Sequence, residues 1–252
     1  TSLQPLAVLK GAHAGGVSCL AFSQGDGAYL ASCDPSSSPL IALWDWRRGT
    51  LLASARAGRQ RVLGLAFSPR GALVSFGAGP LRFWSAEGQR LQSRRGLFGA
   101  TFADGTSAAR SGHKRTVLCV AFTPDGEGTL CGTADGCIQQ WDAHGQCVDV
   151  ASVNRQQPIF GLHCSAEVGL LASGKGGRLL WWLGPRRVGD SLLVSDARQL
   201  DLSSRLGSAT DAAGRPLIHL GGRAPCVRSL SATKERVVIA TRGGELWELP
   251  LP

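Results

Sequence analysis

The sequence predicts an all-β chain built from repeated small sheets, the architecture of a β-propeller. Three observations predict it. Short apolar runs alternate with Gly, Pro, Asp and Ser clusters, a tryptophan-ended unit recurs along the chain, and 34 glycines stand among 252 residues in which helix-favouring runs are scarce. A repeat of about 40–45 residues is the period of propeller blades.

Five units align, with cores near 17–50, 62–92, 117–150, 159–183 and 226–250. Each reads as strand, turn, strand, turn and a third strand closed by Trp44, Trp84, Trp141, Trp182 or Trp247. A fourth, outer strand is expected after each tryptophan, as at 146–150. The inner strands are near-continuous apolar runs, which fits sheets that pack both faces against neighbours. One blade cannot bury itself, so stacking must supply the core. The tryptophan supplies a large aromatic surface to each unit.

The third unit is the most similar to a WD40 repeat. Gly112-His113 precedes its first strand, Asp135-Gly136 forms the tight turn and Trp141-Asp142 closes the third strand. In such repeats a His, an Asp, the Trp and a strand Ser or Thr form a buried hydrogen-bonded network. Cys131 stands at the Ser position here, so the network is incomplete unless Thr133 substitutes. The first unit offers His13, Ser32, Asp34 and Trp44, and the other three lack the His. The expectation is a WD40-type β-propeller of about five recognisable blades, part of an incomplete seven-blade or tandem atypical ring.

The interval from Trp182 to Trp247 is longer than the other spacings, and its extra residues, about 186–222, are polar and rich in Ser, Gly and Arg. They read as a long loop, a feature that is either functional or mobile in compact domains. A degenerate sixth blade with strands at 192–194 and 217–220 is the competing reading.

The five histidines show no metal-ligand spacing, and none of the eight cysteines forms a C-x-x-C pair. Most cysteines sit inside apolar runs and read as small buried hydrophobes in a reducing compartment. There is no nucleophile elbow, P-loop or dinucleotide fingerprint, and the Gly-rich stretch 174–177 falls where a hairpin needs positive φ. No carboxylate pair stands out as an acid/base couple. These absences predict no enzyme, metal, cofactor or small-molecule substrate. No apolar run reaches the length of a spanning helix, so no membrane partner is expected.

The formal net charge is +9, from 27 Lys and Arg against 18 Asp and Glu. That excess favours acidic partners. The aromatic residues are committed to strands, which disfavours nucleic acid. Arg47, Arg48, Arg94, Arg95, Lys114 and Arg115 are the basic residues expected to meet an acidic partner.

A narrower likeness covers nearly the whole chain in register. Residues 40–46, residues 81–85 followed by 94–99, Pro158-Ile159-Phe160-Gly161-Leu162 and the turn at 173–178 resemble, in this order, segments of the echinoderm microtubule-associated protein-like family. The resemblance implies a tandem propeller module that binds tubulin or microtubules in the cytoplasm, on the cytoskeleton. It also implies a preceding blade and a following propeller, so the chain reads as a fragment. A general WD40 scaffold joining proteins of another complex is the alternative. Five blades lacking neighbours would expose apolar faces and strand edges, so the chain alone is expected to aggregate or stay partly unfolded.

Overall fold

The computed structural model describes residues 6–98, 115–154, 156–192, 194–202 and 226–251. Blade 1 comprises β1 (Cys19–Phe22), β2 (Tyr29–Cys33), β3 (Leu40–Asp45) and β4 (Thr50–Arg56). Blade 2 comprises β5 (Val62–Phe67), β6 (Leu73–Gly77), β7 (Arg82–Glu87) and β8 (Arg90–Arg95). After a short β9 (Leu97–Phe98), blade 3 follows with β10 (Val117–Phe122), β11 (Thr129–Thr133), β12 (Cys137–Trp141) and β13 (Gln146–Ser152). Blade 4 has β14 (Ile159–Ser165), β15 (Gly169–Gly174), β16 (Arg178–Trp182) and β17 (Arg198–Asp201). Blade 5 shows β18 (Val227–Ala232), β19 (Arg236–Thr241) and β20 (Leu246–Pro250).

Within each blade consecutive strands pair antiparallel. Neighbouring blades are stitched at their outer strands. β4 meets β8 in parallel at Ser54 and Arg90, and β9 runs parallel to β13 with Leu97 opposite Gln146.

Four apolar cores each join two consecutive blades. Ile41, Phe67 and Trp84 belong to the core between blades 1 and 2, and Val74, Val117 and Trp141 to that between blades 2 and 3. Leu130, Ile159 and Trp182 help fill the next, and Leu171, Trp181, Ile239 and Trp247 the last. Trp84, Trp141, Trp182 and Trp247 therefore all pack toward the blade that precedes their own. Trp44 faces the same way, but Leu9, Ala12 and Trp46 cover it.

Two expectations need correction. The stretch expected as a loop over 186–222 supplies blade 4 with its outer strand, because Arg198–Asp201 pairs with β16 through the Leu179–Leu200 rung. The segment before it is fastened to blade 3. Gln140 donates to the Arg187 carbonyl at 2.8 Å and accepts from Gly189 N–H at 3.1 Å, while Leu192 is buried beside Trp182. Leu192 therefore fills a core between blades 3 and 4, not a strand of a sixth blade; residues 203–225, including 217–220, lie outside the described residues.

Trp247 is also displaced. It stands opposite Ile239, whereas the other anchors stand two rungs further along, where blade 5 has Leu249 opposite Val237. Trp247 and Leu249 share a face of the strand, so the two-residue period of a strand cannot distinguish them without the register.

Candidate protein-binding surface

The residues that close the blades decide which polar groups remain for a partner. In blade 1 the Trp44 indole N–H donates to Ser32 Oγ at 2.8 Å, and His13 Nε2 lies 2.7 Å from the same oxygen. With Trp44 donating, the Ser32 hydroxyl proton is assigned to His13 Nε2, which turns Nδ1–H toward Asp34 Oδ2 at 3.7 Å. Burial opposes ionisation of Asp34, but hydrogen bonds from Ser36 and from the Leu40 amide outweigh it and hold the carboxyl below its ordinary pKa. Ser32, Trp44 and His13 are hydrogen-bonded, while Asp34 stands beside the ring and the buried His13 Nδ1 has no hydrogen-bond partner among the described residues.

The network thins along the chain. The serine stands opposite Leu20 in the strand register, and the equivalent positions opposite Leu65, Val120, Leu162 and Leu230 hold Ser75, Cys131, Ala172 and Ile239. Ser75 accepts from Trp84 at 2.9 Å. Trp141 in blade 3 has a buried indole N–H with no partner among the described residues. Thr133 does not substitute. Its oxygen accepts the Cys137 amide at 2.9 Å and lies 2.6 Å from Asp135 Oδ1, bracing the tight turn where Gly136 takes φ +82°. His113 lies outside the described residues.

The basic residues expected at an acidic partner fall in separate places. Arg47 and Arg48 occupy the exposed β3–β4 turn, where Arg47 donates to the Asp26 carbonyl at 2.8 Å and Arg48 lies 3.7 Å from Asp45. Arg94 is exposed but ties blade 2 to blade 3 through the carbonyls of Ala143 (3.2 Å) and His144. Arg115 is largely buried and pairs with Asp135 at 3.0 Å, so its charge is already matched within the blade. Lys114 lies outside the described residues. Arg95 opens onto a cleft.

That cleft, of about 480 Å³, lies at the end of blade 2 facing blade 3. Its floor includes Leu81, Phe98, Val117 and Trp141. Gly96 permits the close packing, since a Cβ there would stand 2.6 Å from the Trp141 ring. Four guanidinium groups line the cleft, from Arg59, Arg82, Arg95 and Arg115, and no carboxylate does among the described residues. Burial and the neighbouring Arg95 charge both push the Arg82 pKa down, while Arg82 donates to Ser93 Oγ at 3.0 Å. Arg59 and Arg82 were not singled out by the sequence. The available signal was Arg82 itself, a charge inside the apolar run Leu81 to Trp84.

Among the described residues no group of three or more His, Cys, Asp and Glu could hold a metal ion. All eight cysteines are unpaired. Burial pushes the thiols of Cys119, Cys147 and Cys164 up to about 12, consistent with small hydrophobes. Cys19 differs, because a hydrogen bond from the Cys33 thiol across the strand pair brings it down to about 7.

Residues 1–201 match the family model described as the echinoderm microtubule-associated protein first beta-propeller. Echinoderm microtubule-associated protein-like 1 of Rattus norvegicus is 31% identical over 174 residues, covering 67% of this chain and 20% of that protein. Echinoderm microtubule-associated protein-like 2 of Homo sapiens is 30% identical over 173 residues, covering 66% of this chain and 25% of the relative. The chain thus spans a quarter or less of these relatives. Among solved structures, the β-propeller domain of Cps50 (Swd1) from Myceliophteria thermophila aligns with a TM-score of 0.66 and 18% identity, over 96% of this chain and 71% of that one. That likeness shows the fold.

Proposed function

Because the chain belongs to the echinoderm microtubule-associated protein family, within its first β-propeller, we propose that it is a non-catalytic module that binds microtubules by meeting the acidic surface of tubulin. The observation that carries this reading is the in-order match of residues 1–201, which spans blades 1 to 4. The basic excess of the chain supplies the complementary charge. Exposed charges of this kind act over about 8–10 Å at physiological salt and set encounter rate more than final affinity.

In this reading the chain is one partial propeller in a cytoplasmic, cytoskeletal protein. Arg47, Arg48, Arg94 and Arg95 are the exposed contacts, and the tryptophans with His13 hold the blades that present them. Arg115 is left out because Asp135 already neutralises it.

Co-sedimentation of the intact parent protein with microtubules over a salt series tests the proposal. Pelleting at low salt that declines as salt rises is expected, with a weaker response after joint Arg47→Glu and Arg48→Glu replacement. Absence of pelleting at low salt would sink the microtubule assignment and favour a scaffold role in another complex.

A further inference from the structure

We propose that the arginine-lined cleft at the end of blade 2 is a binding site for a phosphate group, carried on a protein side chain or on a small organic ester. The proposal goes beyond the microtubule reading and does not depend on it.

Three features point to a dianionic ligand. Arg59, Arg82 and Arg95 line one concavity with no carboxylate partner among the described residues. Arg82 and Arg95 are directly opposed across β7 and β8. Like charges in that position destabilise a sheet, and a concave wall focuses their field. Arg115 adds an independent observation. Its Nε faces Asp135, yet its Nη1 is buried without a hydrogen-bond partner among the described residues, so a residue that lines the cleft carries a donor that lacks an acceptor.

Phosphate answers this arrangement better than a carboxylate. A phosphate monoester brings a charge of about −1.5 to −2 and three strong acceptor oxygens, which can engage more than one guanidinium fork at once. The cleft is larger than a bare oxyanion requires and lies within the range of roughly 300–1,000 Å³ typical of small-ligand sites. Its apolar floor gives an organic body somewhere to rest, so an ester should bind more tightly than inorganic phosphate. Single-stranded nucleic acid would instead need a charged track with exposed stacking faces, and Trp141 is buried.

Calorimetric titration of the intact parent protein in phosphate-free buffer at fixed ionic strength tests the site, with phenyl phosphate, a phosphoserine peptide and inorganic phosphate as probes. Saturable 1:1 binding is expected, tighter for phenyl phosphate than for inorganic phosphate. Arg82→Gln and Arg95→Gln should each weaken it about tenfold or more, and Arg242→Gln on blade 5 should leave it unchanged. Without phosphate, Arg95→Gln should melt at or above the temperature of the parent, because the opposed charges are relieved; a variant that has merely lost structure would melt lower. Preference for the phosphopeptide assigns the phosphate to a protein side chain, preference for phenyl phosphate assigns it to a small ester, and both sustain the site. Non-saturable binding, equal weakening in Arg242→Gln, or displacement of the probe by oligothymidylate with an affinity that grows with its length would overturn it. None of these readouts involves tubulin, so failure here and failure of the microtubule reading are separable.

Discussion

Replacing Ser32 by alanine removes the hydroxyl that accepts from Trp44 and donates to His13, and leaves two buried polar groups unpaired. A loss of about 1–3 kcal/mol is expected for such a site, read from the midpoint of chemical unfolding. Cys131→Ser should act in the opposite direction, raising stability by up to about 1 kcal/mol, because it offers the Trp141 N–H the acceptor it lacks. Asp34 adds a pH dependence. Its folded pKa is depressed, so its contribution is fully present above the unfolded carboxylate value and is lost as pH falls through the folded one. Asp34→Asn should therefore flatten the acid limb of a stability–pH curve, and an unchanged limb would refute the assignment. The blade 1 network was legible in the sequence because its four residue types recur at fixed places in the repeat. The cleft was not, because Arg59 from the loop before β5 and Arg115 from the start of blade 3 join the Arg82–Arg95 pair of blade 2 only in the folded chain.

Between residues and molecule, the segment leading to β17 is the element whose sequence misleads most. An outer strand faces solvent on one side, so Arg-Gln-Leu-Asp carries a single inward apolar residue and no aromatic marker. The inner strands announced themselves because both their faces are buried. Leu192 carries the attachment of this segment to the core between blades 3 and 4. Leu192→Ala should cost about 2–5 kcal/mol if the site cannot collapse, and hydrogen exchange should quicken first at β17 and its partner β16. Uniform exchange across all blades in that variant would show that the segment is not a separable element.

At the scale of the molecule, stability is a chain of blade-to-blade interfaces, and its two outer faces are apolar. Leu20 and Phe22 on β1 are 58% and 54% exposed, and Leu246 on β20 is 79% exposed. Exposed apolar strands of this kind are association sites. The chain expressed alone is expected to elute as aggregates or mixed oligomers in size-exclusion chromatography with light scattering. A monodisperse monomer with one cooperative transition would show that its faces are satisfied within the chain. The sequence conveyed the number of tryptophan-ended units directly, since each repeats a local pattern. How the ends of the row are covered depends on surfaces far apart in sequence, which no local pattern encodes.

The shared facing of the tryptophans gives the row of blades a direction, as overlapping tiles have. Each blade lays its largest side chain under the one before it and offers the one after it mainly aliphatic residues. Lifting a tile from the front would uncover an indole, whereas lifting one from the back would uncover Leu171 and Leu179 as well as Trp181, the one indole of blade 4 that points forward. Proteolytic trimming from the two ends should therefore leave different optical traces. Front-end loss should redden the tryptophan emission blade by blade, and back-end loss should do so only once blade 5 is gone.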